Sequence, residues 1–261
     1  MMMNNHHFHL VSYSPWPFMM SLNLINLGIS VIILIVLKIY SSLAVSVTLM
    51  LMMKFQWWRD VVREALYEGF HSISVKTGIS MGVMTFIISE LCFFVSFFWM
   101  YFYLSLSPDI SLGSNWPPLG TQPVSYLNIP LLNTLILLSS GFFITWAHYS
   151  LMNNNYYMMK FNYTVSILMG VYFFIIQMYE YFEISFDFSD SSFSSSFFIL
   201  TGFHGFHVIV GILFITINFL RFLNHTFSMI SALGFEYSVW YWHFVDVVWL
   251  FLYVFLYWWG M

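Results

Sequence analysis

Glu90 sits within the stretch from Thr77 to Leu106, which contains no other charged side chain and is long enough to cross a bilayer. An acidic residue at the centre of a spanning helix costs about 2.5–3.5 kcal/mol on insertion scales. Three readings justify that cost: a proton-carrying or ligand-binding role, a buried contact with another protein, or a neutral acid hydrogen-bonded inside a helix bundle. The apolar neighbours Ile88, Leu91 and Phe93 favour an uncharged carboxyl at rest.

The rest of the chain points to the same solvent. Hydrophobic residues make up 60% and charged residues only 7%, against about 25% charged in soluble domains. Seven basic and eleven acidic residues give a net charge of −4, which excludes nucleic acid as a partner. One cysteine, Cys92, excludes an internal disulfide and a cysteine metal cluster. The first residues, rich in His and Asn, lack the apolar core and arginines of a leader peptide, so the first helix is expected to direct insertion. Heavy use of Phe, Met, Ile, Asn and Tyr is consistent with an AT-rich organellar genome.

Apolar stretches of spanning length fall at about Pro17–Leu37, Ser42–Trp58, Thr77–Leu106, Ile129–Ser150, Phe161–Phe182, Phe197–Leu223 and Tyr237–Tyr257. The expected class is therefore an all-α membrane protein with seven transmembrane helices. The second stretch can continue past Trp58 as a polar extension through Arg59, Asp60, Arg63, Glu64 and Glu68. Lys54, Arg59, Arg63, Lys76, Lys160 and Arg221 lie on the side of the N-terminus, and only Lys38 lies opposite. The positive-inside rule then puts the N-terminus on the cytoplasmic or matrix side. The longest connection, Ser107–Asn128, holds four prolines and is either an ordered turn-rich loop or a partner-binding cap. The serine-rich stretch at Ser189–Ser196 reads as a helix-capping linker.

Several polar residues lie inside or beside these stretches. His204 and His207, three apart, share one helix face; they either bind a metal with ligands from other helices or pack and contact Glu90. His243 and Asp246 are spaced the same way and either pair or form part of a proton relay, with Glu236 near the inner end of their helix. His148 lies near the inner end of the fourth helix. Trp58, Arg63, Glu64, His71, Arg221 and His225 form an inner rim suited to lipid phosphates, with orientation charge alone as the competing reading. Glu180 and Glu183, at the outer end of the fifth helix, read as solvated or interfacial carboxylates. No Walker loop, nucleophile elbow, zincin helix, dinucleotide fingerprint or Glu-x-x-His di-iron pattern occurs.

The run GFEYSVWYWHFVDVVWLFLYVFLYWWG at Gly234–Gly260 resembles the C-terminus of the haem-copper oxidase subunit III family. Further motifs match in order: SPWP at Ser14–Pro17, QWWRDVVRE at Gln56–Glu64, FIISE at Phe86–Glu90, WPPLG at Trp116–Gly120, PLLNT at Pro130–Thr134, WAHYSLM at Trp146–Met152 and TGFHGFHVIVG at Thr201–Gly211. The resemblance implies an N-terminal matrix segment (residues 1–16), a two-helix unit (17–70) and a five-helix bundle (71–261), with a lipid-filled cleft between the helical parts. It implies a non-redox core subunit of the proton-pumping respiratory terminal oxidase, with no cofactor in this chain and with haem and copper in partner subunits. The implied partners are the catalytic subunit, the other subunits of complex IV, membrane phospholipids and a respiratory supercomplex. The implied location is the mitochondrial inner membrane, with the N-terminus in the matrix and the C-terminus in the intermembrane space. Glu90 matches the family's carbodiimide-reactive intramembrane acid, and Arg63, Glu64, His71 and Arg221 match positions beside cleft lipids. The chain departs from the family at Phe70 and Tyr149, where histidines are usual, and at Ser231-Ala232-Leu233, which replaces His-His-Phe. It therefore has fewer inner-surface histidines. A transporter or receptor acting alone, and a redox subunit with His204, His207 and His243 as ligands, are the competing classes.

Overall fold

The structure, a computed structural model, describes residues 8–9, 11–110, 113–224 and 232–260. Among them are seven α-helices: α1 (Trp16–Leu37), α2 (Tyr40–Leu66), α3 (Ile73–Leu106), α4 (Ile129–Met152), α5 (Tyr156–Glu183), α6 (Ser192–Leu223) and α7 (Leu233–Leu252), the last continuing as a π-turn over Tyr253–Trp258. The described residues contain no strand. Two compact units divide the chain, one ending at Ile79 and the other beginning at Ser80.

Local chemistry sets the helix ends. Ser191 caps α6 by accepting from the Ser194 N–H at 3.1 Å, so that helix starts before the apolar run does. Asn155 caps α5 in the same way through Met158 N–H. Pro130 occupies the first turn of α4, where its missing N–H costs no helix bond. The π-turn after α7 lets the apolar pattern continue to Trp258 with Leu256 and Tyr257 still buried.

Among the described residues six helices are long and apolar enough to cross a membrane, and α2 is not one of them. Its Ser41, Ser42, Ser46, Thr48, Lys54 and Gln56 lower its mean hydropathy. In the first unit α2 packs on α1, across a connection of two residues, Lys38 and Ile39. Ser30 and Ser46, both fully buried, share a hydrogen bond of 2.8 Å between the two helices. The polar extension of α2 exists as expected and reaches Leu66.

The second unit is built around Trp242. Its indole N–H donates to Ser140 Oγ of α4 at 2.9 Å, and Ser166 of α5 donates to the Ser140 carbonyl. The ring lies against Gly170 of α5 and Gly211 of α6, where a β-carbon would come within 2.7 Å and 2.8 Å of it. One side chain thus ties α7 to three helices. The α3 helix approaches less closely and joins through aromatic rings: Phe93 against Phe203 at 5.0 Å, Phe102 against Phe255 at 5.1 Å and Phe102 against Trp259 at 5.4 Å. At 34 residues it is about 50 Å long, longer than the ~30 Å hydrocarbon core, so it tilts or protrudes.

The loop from Ser107 to Asn128 is anchored on the bundle through Trp116. Trp116 packs edge-on against Tyr101 and Phe193, each at 5.6 Å.

Overpacking a filled site of this kind costs about 1–3 kcal/mol. Gly211→Ala and Gly170→Ala are therefore expected to lower the thermal midpoint of the detergent-solubilised protein, because Trp242 cannot retreat. Gly202→Ala, whose added carbon would meet nothing within 4 Å, leaves the midpoint unchanged.

Candidate functional site

Helices α3 and α6 bring the intramembrane acid to its partner, and α7 adds rings beside them. Glu90 projects from α3 and is about one-quarter exposed, and its Oε2 lies 2.9 Å from His207 Nε2 on α6. The other ring nitrogen, Nδ1, lies 2.7 Å from the Phe203 carbonyl. A carbonyl can only accept, so Nδ1 carries a hydrogen. The contact between Nε2 and Glu90 then needs one further proton, on either the carboxyl or the imidazole. In both cases the pair has no net charge: a neutral acid with a neutral ring, or a carboxylate with an imidazolium. Phe94, Tyr241 and Phe244 wall the ring at 5.0–6.4 Å. This geometry holds a proton between two groups without leaving a standing charge in an apolar surround.

His204 takes a different role from its neighbour one turn away. It is fully buried, and its Nε2–H donates to the Val245 carbonyl at 3.3 Å. It does not reach Glu90, so the expected contact belongs to His207 alone. His243 Nδ1 stands 3.5 Å from Asp246 Oδ2, and the Asp246 carboxyl fits against Gly141, where a side chain would displace it. No group of three or more His, Cys, Asp or Glu able to hold a metal occurs among the described residues.

The remaining sequence candidates fall in separate places. His148 stacks on Phe235 with ring centres 5.6 Å apart, its Nε2 buried. Glu236 sits in the first turn of α7, where its charge opposes the helix dipole favourably. Arg221 donates to Asn218 Oδ1 at 3.3 Å and occupies the space left by Gly234. Trp58 is exposed and Arg63 lies 3.6 Å from Glu68, both in the first unit. His225 lies outside the described residues.

Two arrangements escaped the sequence reading. In the first unit His9 pairs with Glu64 at 3.0 Å, stacks on Phe70 and lies 6.0 Å from the His71 ring. Beside it the Trp16 N–H donates to Asp60 Oδ2 at 2.7 Å, a bond that holds the Asp60 carboxyl below the usual carboxylate range. Nothing in the spacing of His9 and Glu64 signals a contact 55 residues apart. In the second unit Glu180 is not solvated, as its position near a helix end suggested; it is 1% exposed and accepts from Tyr257 O–H at 2.6 Å. A signal for it did exist. Ser166, Gly170, Phe173, Gln177 and Glu180 fall three or four residues apart on the buried face of α5.

Comparison with known proteins identifies the family. A family model described as cytochrome c oxidase subunit III matches residues 6–261. The chain belongs to that family. It is 47% identical over 262 residues to cytochrome c oxidase subunit 3 of Drosophila melanogaster, covering 98% of both chains. It is 46% identical to that of Heterololigo bleekeri, covering 97% of this chain and 98% of the other, and 47% identical to that of Osphranter robustus, covering 98% of each.

Two expectations follow. Glu90→Gln keeps a donor opposite His207 Nε2 and is expected to preserve assembly, whereas Glu90→Leu leaves that nitrogen without a partner and destabilises the chain by about 1–3 kcal/mol; thermal melts of the two variants decide it. The second concerns pH. Burial, reinforced by His9 and opposed by Glu64, holds the His71 imidazole below its ordinary value of 6.5. The stabilisation from a histidine held low is complete above 6.5 and is lost as pH falls through the lower folded value. The protection of the amides over residues 67–72, corrected for the intrinsic pH dependence of exchange, is therefore expected to fall as pH drops below about 6.5, and His71→Gln flattens that dependence.

Proposed function

We propose that this chain is a non-redox core subunit of the respiratory terminal oxidase, the complex that passes electrons from cytochrome c to oxygen and pumps protons. The near-full-length match to proteins named cytochrome c oxidase subunit 3 carries this reading. The chain stabilises the catalytic subunit, which with its neighbours holds the haem and copper. It also retains phospholipids and supports proton uptake. The Glu90–His207 geometry supports a stabilising role for the acid, because the pair satisfies itself without a standing charge.

In this reading the two helical parts enclose a lipid cleft, and Trp58, Arg63, Glu64, His71, Arg221 and His225 hold headgroups at its inner rim. Seven crossings of the mitochondrial inner membrane put the N-terminus in the matrix and the C-terminus in the intermembrane space. Support for the seventh crossing comes from the two-residue connection after α1, which obliges α2 to return beside it. The basic residues on the N-terminal side support the orientation. Other complex IV subunits and a respiratory supercomplex are the partners of the assembly.

Stripping this chain from the gently purified complex tests the assignment. Haem and copper stay with the remaining core, and activity starts normally but decays during turnover. Metal leaving with the chain, together with immediate loss of activity, would instead favour a redox subunit with His204 and His207 as ligands. Replacing Arg63 and Arg221 with Leu is expected to lower the bound phospholipid and shorten the active lifetime; unchanged values for both count against the lipid role.

A further inference from the structure

The buried acid at the end of α5 has no place in the role just described, and its surroundings are incompletely matched. Glu180 Oε1 accepts from Tyr257, while Oε2 is buried without a protein donor. One turn earlier Gln177, 3% exposed, points its amide at both Glu180 and Tyr257 and interacts with each, though outside direct hydrogen-bond geometry. Its amide is joined to the fully buried Asn133 of α4, whose Nδ2 donates to Gln177 Oε1 at 3.2 Å. Asn133 Oδ1, Gln177 Nε2 and Glu180 Oε2 each lack a protein partner at direct hydrogen-bond geometry.

That set does not depend on how the two amides are oriented. Turning both over exchanges the atom names and still leaves one amide N–H, one amide oxygen and one carboxyl oxygen. Three such atoms are rarely abandoned together in an interior. A metal cation suits the two oxygens but repels the N–H. Water alone can accept from the amide and donate to both oxygens.

The backbone supports the same conclusion. The π-turn over Tyr253–Trp258 directs Tyr257 into the bundle, and turns of this type recur where a helix shapes a functional site. Phe197 and Trp249 pack against the Tyr257 ring at 5.5 Å and 5.9 Å and close the site with apolar walls.

We propose that α4, α5 and the C-terminal π-turn enclose a water-binding acid site, in which ordered water bridges the Glu180 carboxyl to the Asn133 and Gln177 amides. The site gives the bundle a further buried acid besides Glu90 and Asp246, hydrated where those two are paired with histidine. It rests on the chain's own geometry and not on the oxidase assignment.

Electron cryomicroscopy of the purified assembly containing this chain, at a resolution that shows water, tests the proposal. The expected result is a density peak about 2.7–3.0 Å from Glu180 Oε2 and from both amides. Glu180→Gln keeps that peak, and Glu180→Leu or Asn133→Leu loses it. A dry site with Oε2 turned onto a protein donor overturns the proposal. So does a peak held by four or more oxygens at about 2.3–2.6 Å, the signature of a cation, or one that persists at full height in both Leu variants. The unsubstituted map decides the matter even where a Leu variant fails to assemble.

Discussion

The hydrogen bond from the Trp242 indole to Ser140 is the contact on which the second unit is organised. An indole buried among helices needs an acceptor for its N–H and room for its rings. Ser140 supplies the acceptor, and Gly170 and Gly211 supply the room. Neither provision works alone. With side chains at the glycines the ring could not enter, and without Ser140 a donor would be stranded in hydrocarbon. Association of helices in a membrane has little hydrophobic drive, so packing of large rings into small-residue grooves carries it instead.

The same scarcity of water governs the polar residues. Three acids of the second unit are matched inside the protein at one oxygen each: Glu90 by His207, Asp246 by His243 and Glu180 by Tyr257. The matches differ in kind. Glu90 and His207 share a proton count that cancels their charges, whereas Tyr257 offers Glu180 only a neutral donor. At the end of α2 the Arg63–Glu68 pair is exposed, where an ion pair contributes little stability, whereas His9–Glu64 is largely covered.

Helix number, order and most boundaries were legible in the sequence because apolar runs of about 20 residues are hard to mistake. Boundaries moved where caps intervened: Ser191 and Asn155 start their helices five residues before the apolar runs at Phe197 and Phe161. The weaker hydropathy of α2 was already written in its serines and Lys54, yet a window judged by length alone passes over it. Individual polar residues were legible as costs. Their partners were not, because Glu90 meets a residue 117 positions away and His9 one 55 positions away. Helical spacing describes one helix at a time, and contacts between helices depend on rotations that no single helix specifies. Glu180 shows the reverse failure, since its buried spacing on α5 was readable but its place near a helix end argued for water.

The position of Glu90 on α3 has a structural logic of its own. The other helices of the second unit approach one another closely, but α3 meets its neighbours mainly through ring contacts such as Phe93 with Phe203 and Phe102 with Trp259. Rings in contact tolerate sliding, because dispersion depends weakly on orientation. Hydrogen bonds do not, since their strength falls steeply with distance and angle. Glu90 to His207 at 2.9 Å and Ser80 to Tyr237 at 2.7 Å therefore fix α3 at two levels against α6 and α7. Two directional bonds more than two turns apart define both the rotation and the register of a helix, which one could not. A neutralised acid pair in the middle of the membrane is thus a positioning device for the helix whose packing alone leaves it least constrained.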